Sequence, residues 1–336
     1  MAYLCSQNSF ILRYKLLFTM RTNYARLRKL FGALSLSLAG IFSAEGAVAL
    51  DSLQLIPRPV SVSYAKGTLT LPKRLTLSAH TPRVLRDGLA GLSLATAEAK
   101  GRTSSFIRSR LDPSVQGREG YRLTIGARGI DLVARDEAGL RQGAQSLLQI
   151  IGQYGARLPQ LSIVDSARMA YRGVMLDVSR HFMKTDMIIR LLDEMARYKL
   201  NRFHWHLVDG GGWRFLSEKY PLLTKKAAFR DKWWQKDRRF VDEGTPGAYG
   251  GYYTKEEIQR VVRHADRLGI TVIPEIELPG HSNELFSAYP ELSCLDGWAF
   301  ENSDVCIGNE KTFTFFEAIL DEVMALFPSK YIHIGG

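Results

Sequence analysis

The chain carries two hydrophobic rhythms, and the change between them falls near residue 165. Before it, short runs repeat every two residues: Gly67-Thr68-Leu69-Thr70-Leu71, Arg74-Leu75-Thr76-Leu77, and Tyr121-Arg122-Leu123-Thr124-Ile125, answered across Gly126 and Gly129 by Ile130-Asp131-Leu132-Val133-Ala134. Successive side chains of a strand point to opposite faces, so this alternation predicts half-buried strands, the last two forming a hairpin. From Ala138 to Tyr154 the period lengthens, and Leu140, Ala144, Leu147, Leu148 and Ile151 fall on one helical face. Residues 50–165 therefore read as a small α/β domain, entered through Pro57 and Pro59, each of which holds its predecessor extended.

After Asp165, strand-like and helix-like segments alternate. Gly173–Val178 is apolar on both faces for most of its length, as a covered parallel strand must be. Thr185 is placed to cap a helix running to Leu200. Arg202–Leu207 is a second strand, followed by a long loop rich in glycine and aromatics, 209–253. Thr254-Lys255-Glu256-Glu257 has capping-box spacing, and its helix stops at Gly269. Ile270–Ile276 is a third strand, Lys311–Phe327 a helix ended by Pro328, and Tyr331–Ile334 a fourth strand. This alternation predicts a parallel β/α fold. A TIM-type (β/α)8 barrel takes about 250 residues, so 166–336 read as its first half, about four βα units with two open sheet edges.

Composition adds that the chain is globular, with 46% hydrophobic and 24% charged residues. The net charge of +11 is concentrated at the start: residues 1–49 hold six Lys/Arg and one acid, leaving 39 basic against 33 acidic residues elsewhere. No basic run is interleaved with aromatics, which argues against nucleic-acid partners. From Met20, the basic residues Arg21, Arg26, Arg28 and Lys29 precede an apolar run, Leu30–Phe42, and small residues at Ala47-Val48-Ala49. That is the order of an export leader, and the run is short for a membrane span. Residues 1–49 are set aside as leader, and the expected destination is the periplasm or outside the cell, without a stable membrane span. Beyond Cys5, the cysteines are Cys294 and Cys306. They can close a local disulfide or remain two buried thiols.

Ionisable residues gather at the predicted strand ends: Asp177, Arg180 and His181; His204, His206 and Asp209; Glu275, Glu277 and His281; and His333. A β/α barrel places function at the carboxyl ends of its strands. Two chemistries fit. His204 and His206 face one way on a strand and, with His281 or His333, could ligate zinc in a metal-dependent hydrolase. Alternatively they are hydrogen-bonded inside to Asp209 or Glu275. The carboxylates Asp177, Asp209, Glu275 and Glu277 could serve glycoside hydrolysis if two of them have the required separation, with Trp205, Trp213, Trp233, Trp234 or Tyr249 stacking on sugar rings. The residue pattern leaves both open, and a non-catalytic sugar-binding remnant is a third reading.

Four ordered motifs bear a resemblance that separates them. Arg172-Gly173-Val174-Met175-Leu176-Asp177-Val178-Ser179-Arg180-His181 resembles the opening barrel strand of the β-N-acetylhexosaminidases of glycoside hydrolase family 20. His204-Trp205-His206-Leu207-Val208-Asp209 with Gly212-Trp213-Arg214 resembles that family's second-strand motif, and Val272-Ile273-Pro274-Glu275-Ile276-Glu277-Leu278-Pro279-Gly280-His281 its third. His333-Ile334-Gly335-Gly336 is similar to the start of its catalytic His-x-Gly-Gly-Asp-Glu, and residues 50–165 are similar to the small domain that precedes its barrel. The resemblance implies removal of terminal N-acetylglucosamine or N-acetylgalactosamine from glycans such as chitooligosaccharides, glycoproteins or glycosaminoglycans. The substrate's own acetamido oxygen would act as nucleophile, with neither metal nor other cofactor. It implies that Arg172 binds sugar hydroxyls, that Asp209, Glu277 and His281 form a network around the acid, and that His333 supports the strand end. The family's catalytic pair would follow Gly336, so the expectation is that residues 1–336 alone are inactive.

Overall fold

The computed structural model describes residues 53–99, 105–231, 239–295 and 303–335. The expected leader, Cys5, Trp233 and Trp234 lie outside the described residues.

The first layer is a seven-stranded mixed sheet. Its strands are β1 (Ser61–Thr70), β2 (Arg74–Leu77), β3 (Ala95–Glu98), β4 (Ile107–Leu111), β5 (Tyr121–Gly126), β6 (Gly129–Ala134) and β7 (Arg157–Asp165), in the order β1-β7-β5-β6-β4-β2-β3. Alternation does what it predicts: Leu75, Leu77, Leu123, Ile130, Leu132 and Ile163 are fully buried. They are covered by α1 (Arg83–Gly91) and α2 (Glu137–Tyr154). The hairpin is β5–β6, paired from Tyr121↔Ala134 to Gly126↔Gly129. Asp136 caps α2 by accepting from the Gly139 amide.

The second layer is a partial barrel. β8 (Gly173–Asp177), β9 (Arg202–Asp209) and β13 (Thr271–Ile276) run parallel, with Gly173↔Arg202 and Arg202↔Thr271 in register. The intervening short strands are β10 (Gly212–Trp213), β11 (Phe229–Arg230) and β12 (Tyr249–Gly250). The helices are α3 (Thr185–Arg197), α4 (Leu222–Lys226), α5 (Lys255–Leu268), α6 (Asn283–Ala288) and α7 (Glu310–Leu326). The capping box on α5 is formed by Thr254 and Glu257, and Gly269 closes the helix in the left-handed region at φ 75°.

Three expectations change in the structure. The fourth strand contracts to a single bridge, His333↔Glu275, with His333 N–H donating to Pro274 O (2.9 Å) and Ile276 N–H to His333 O (3.0 Å). It has a described ladder partner on one side only. β8 is not covered on both faces: among the described residues it pairs only with β9, and Met175 is 52% exposed, whereas Phe203, Trp205 and Leu207 of β9 are fully buried. Thr185 is the first residue of α3 rather than its cap; Lys184 holds the cap position and makes no side-chain capping bond.

The two layers are joined by a buried ionic network. Lys199 Nζ meets Asp165 Oδ2 at 2.9 Å and Tyr121 Oη at 2.8 Å. Arg172 Nη2 meets Glu119 Oε2 at 2.6 Å, and Arg172 also donates to the carbonyls of Lys199 (2.7 Å) and Met169 (2.6 Å). Arg172 therefore lies at the amino end of β8, one residue before the strand begins. The Cys294 and Cys306 sulfurs are bonded at 2.05 Å. The loop they close braces the turn that carries His281: Ser282 N–H donates to Ser303 O (2.6 Å) and Val305 N–H to Pro279 O (2.9 Å). Among the described residues, no helix is long and apolar enough to cross a membrane.

Candidate active site

The carboxyl ends of β8, β9 and β13 converge. β8 delivers Asp177 and, one turn on, Arg180. The Arg180 backbone amide donates to Asp177 Oδ1 (3.0 Å), and its guanidinium reaches Asp177 Oδ2 (2.7 Å) and Asp209 Oδ2 (2.6 Å). The loop after β9 approaches the Arg180 backbone at Gly211, where a Cβ would stand 2.8 Å from Arg180 Cα. Glycine there lets the two chains close up around the ion pair.

β9 points His204 and His206 the same way, their rings parallel within 9°. Both turn to Glu275 of β13: His204 Nε2 lies 2.7 Å and His206 Nδ1 3.0 Å from Glu275 Oε2, and His333 Nδ1 lies 2.8 Å from Oε1. Burial alone would raise the Glu275 pKa; the histidines outweigh it and hold the carboxyl below its ordinary range. Burial alone would lower the His206 pKa, and Asp209 with Glu275 and Asp177 outweighs it in the other direction. On its other edge, His206 Nε2 faces Asp209 Oδ2 (3.2 Å) and Glu277 Oε2 (3.7 Å). His281, at φ 50°, places Nδ1 3.5 Å from both Asp209 Oδ2 and Glu277 Oε1. Gly335 packs on the same group: a Cβ at that position would overlap the Glu277 carboxylate.

The structure places Asp209, Glu277 and His281 together beside His206, with His333 on the other side of Glu275. It does not bring Arg172 there. Arg172 precedes β8 and is committed to Glu119 at the opposite end of the strand, so it cannot reach the converging carboxylates. The arginine at the site is Arg180, 49% exposed at its side chain. The signal for it was available: eight residues separate the two arginines, and only the second follows the strand. Trp205 and Trp213 are also removed from any sugar face. Both are fully buried, packed on Tyr253 (4.8 Å between centroids) and Phe215 (4.9 Å) respectively. Tyr249 stays at the rim, its hydroxyl 2.7 Å from His181 Nδ1 and its ring under the Arg230 guanidinium.

Two groups behind the site were not foreseen. Arg214 is fully buried and its guanidinium is spent on main-chain carbonyls. It donates to Val178 (3.0 Å), Ser179 (2.5 Å), Gly211 (3.1 Å), Ala228 (2.5 Å) and Gly251 (3.1 Å). Burial lowers its pKa to about 10. It ties the loops after β8 and β9 to the β11–β12 hairpin. Glu284 of α6 is also fully buried, and neither carboxylate oxygen has a hydrogen-bond partner among the described residues. Burial first, and then Asp209 and Glu277, raise its pKa well above the ordinary carboxyl value. The folded chain then holds a proton that the unfolded chain releases. Stability from this group is full below the ordinary carboxyl range and falls as pH rises toward the folded pKa. The expected result is that Glu284→Gln raises Tm by several degrees at pH 7.5 and has little effect at pH 4. For scale, about 1 kcal/mol moves Tm by about 2–4 °C at this size. Thermal unfolding at the two pH values checks it, and equal shifts at both would mean that Glu284 is ionised in the fold.

Buried carboxylates, imidazoles and a half-exposed arginine gather at the strand ends of a parallel β/α unit, the face on which β/α barrels place function. Comparison with known proteins gives the family. Residues 169–336 match the model of glycosyl hydrolase family 20, catalytic domain, and residues 52–166 match its domain 2. The chain belongs to this family. It is 32% identical over 310 residues to a β-hexosaminidase of Porphyromonas gingivalis, covering 84% of this chain and 38% of that protein. It is 34% identical over 314 residues to a β-hexosaminidase of Vibrio furnissii, covering 84% and 48%. Among solved structures, it superposes with TM-score 0.74 at 28% identity on the exo-β-N-acetylglucosaminidase of Vibrio harveyi in complex with N-acetylglucosamine, covering 84% of this chain and 46% of that one. The β-N-acetylhexosaminidase of Bacteroides fragilis gives TM-score 0.72 at 32% identity, covering 83% and 56%. The chain spans less than half the length of the two β-hexosaminidases.

Proposed function

We propose that this protein hydrolyses terminal, non-reducing N-acetylhexosamine residues of glycans, with the substrate's acetamido oxygen attacking the anomeric carbon and the configuration retained. The observation that carries the reading is Arg180. Its guanidinium is anchored by Asp177 and Asp209 and still half open at the strand ends, and its planar donors suit adjacent sugar hydroxyls. Asp209, Glu277 and His281 form the polarising surround. Bond chemistry falls to the carboxylate pair that the family pattern sets after His333-Ile334-Gly335-Gly336. The basic-then-apolar start of the chain supports export, which suits extracellular glycan ends.

N-acetylglucosamine titrated into the chain tests the grip. Arg180→Lys keeps the charge and loses the planar fork. It is expected to bind about 10–100-fold more weakly, equivalent to losing a charged hydrogen bond of about 1.5–3 kcal/mol. Equal affinity in the two proteins would remove Arg180 from the sugar site. Retention of configuration on an aryl N-acetyl-β-glucosaminide, cut by the polypeptide that carries these residues at its natural length, reads the reaction.

A further inference from the structure

We propose that the cavity between the sheet domain and the amino end of β8 binds a small organic carboxylate with an apolar body, gripped at its charged end by Arg58 and Arg168. The cavity lies at the opposite end of β8 from the candidate active site, and the hydrolytic reading makes no use of it.

Size and place are the first support. The cavity has a volume of about 420 Å³. Small-molecule pockets run to about 300–1,000 Å³ and occur preferentially where two domains meet. Three stretches distant in sequence form it: the chain entry at Pro57, Arg58 and Val60, the approach to β5 at Glu119 and Tyr121, and the connection between the layers from Ser166 to Met169.

The floor is the second support, because its polar atoms are already committed to one another. Lys199 Nζ is shared by Asp165 (2.9 Å) and Tyr121 (2.8 Å). Glu119 accepts from Arg172 (2.6 Å), Gln142 (2.8 Å) and Asn201 (3.3 Å), and Asp165 Oδ1 accepts from the Val60 amide (3.2 Å). A network satisfied within itself leaves hydrocarbon for a ligand to cover. Here that is the stems of Lys199 and Arg172, with Pro57, Val60, Ala167 and Met169 as walls. Lys199 also follows the C-cap of α3 at φ 62°, a position that favours glycine. A lysine stands there and holds the floor together.

The third support is uncompensated charge. In the floor, Lys199 and Arg172 are balanced by Asp165 and Glu119. Arg58 and Arg168 are the other charged residues lining the cavity, and neither has a hydrogen bond or ion pair from its side chain to another described residue. The cavity therefore carries two surplus positive charges above an apolar interior. Two planar guanidinium groups can grip one carboxylate through paired hydrogen bonds. Val60 and Met169 are exposed at the mouth, which also suits contact with a lipid surface, but the depth of the cavity favours a ligand that enters it. A bound carboxylate would bridge the sheet domain, through Arg58, to the connection that leads into β8, through Arg168. Binding should therefore raise Tm.

The test contains no sugar, so its outcome does not depend on whether the chain binds or cuts a glycan. Phenylbutyrate titrated calorimetrically into the tag-free chain is expected to saturate at one equivalent with Kd below about 1 mM, and to raise Tm. Phenylbutanol lacks the charge and acetate lacks the apolar body; each is expected to bind at least about 10-fold more weakly. Arg58→Gln and Arg168→Gln should each weaken phenylbutyrate about 10–100-fold. Both arginines are exposed, so the variants should melt like the parent without ligand. Arg110→Gln, an exposed arginine of β4 outside the cavity, should leave binding unchanged. No saturation overturns the proposal, as does equal affinity for phenylbutanol or an equal loss with Arg110→Gln. Capture by phosphatidylglycerol vesicles through Arg58 and Arg168, without phenylbutyrate binding, would make the patch a membrane surface instead. Binding that is absent from the polypeptide at its natural length would mean that other parts of the chain fill the cavity, and would overturn the proposal too.

Discussion

Arg214→Leu is expected to yield no soluble, folded chain. Arg214 is inaccessible to solvent and serves carbonyls of Val178, Ser179, Gly211, Ala228 and Gly251 at once. Leucine supplies none of these donors. A buried acceptor left unsatisfied costs about 1–3 kcal/mol, and several together rival the whole stability of a domain, about 5–15 kcal/mol. Arg214→Lys is expected to fail as well. Three donors on one point charge cannot span carbonyls that a planar guanidinium with five donors reaches in different directions. Soluble yield and near-ultraviolet circular dichroism are the measurements. A leucine variant that melts like the parent would show that these loops are held by something else.

The second large effect is expected from Arg172→Ala. The Arg172 side chain is 16% and Glu119 12% exposed, 2.6 Å apart, and they join the sheet domain to the start of β8. Removing the arginine leaves Glu119 shielded without its counter-charge. Breaking such a pair from one side costs about 3–5 kcal/mol. Denaturant unfolding should show a lower midpoint, whereas N-acetylglucosamine affinity, measured well below that midpoint, should stay near that of the parent. Arg180→Lys is expected to do the reverse. The contrast separates two arginines that stand eight residues apart in one motif. If Arg172→Ala removed sugar binding at undiminished stability, the assignment of the two would have to be exchanged.

Much of the fold was legible because it follows local rules. The period-two runs at Leu75–Leu77 and Tyr121–Ile125 became strands buried on one side, and the box at Thr254–Glu257 and the stop at Gly269 formed as written. Both signals depend on residues a few positions apart. β7 escaped notice because Pro159 lies inside its run, which argues against a strand even after the helix stop at Gly155, and its partners Val62 and Leu123 are distant in sequence. The site was legible as a set of strand ends: Asp209, Glu277 and His281 stand together beside His206, with His333 on the other side of Glu275. Arg172 was misplaced because a motif says which residues travel together and not which end of a strand each occupies.

The sequence alone therefore determined the rhythm of elements and the family motifs, since each is carried by neighbouring residues, and left Cys294 and Cys306 open between a disulfide and two thiols until the fold joined them. Only the tertiary structure decided that Arg180 faces the carboxylates, that Arg214 is a buried tie between three loops, and that the Glu284 carboxyl is enclosed with no hydrogen-bond partner among the described residues. It also decided that His206 stands between Glu275 on one edge and Asp209 with Glu277 on the other. These properties depend on through-space distance and on exclusion of water, and both arise only when β8, β9 and β13 are laid side by side.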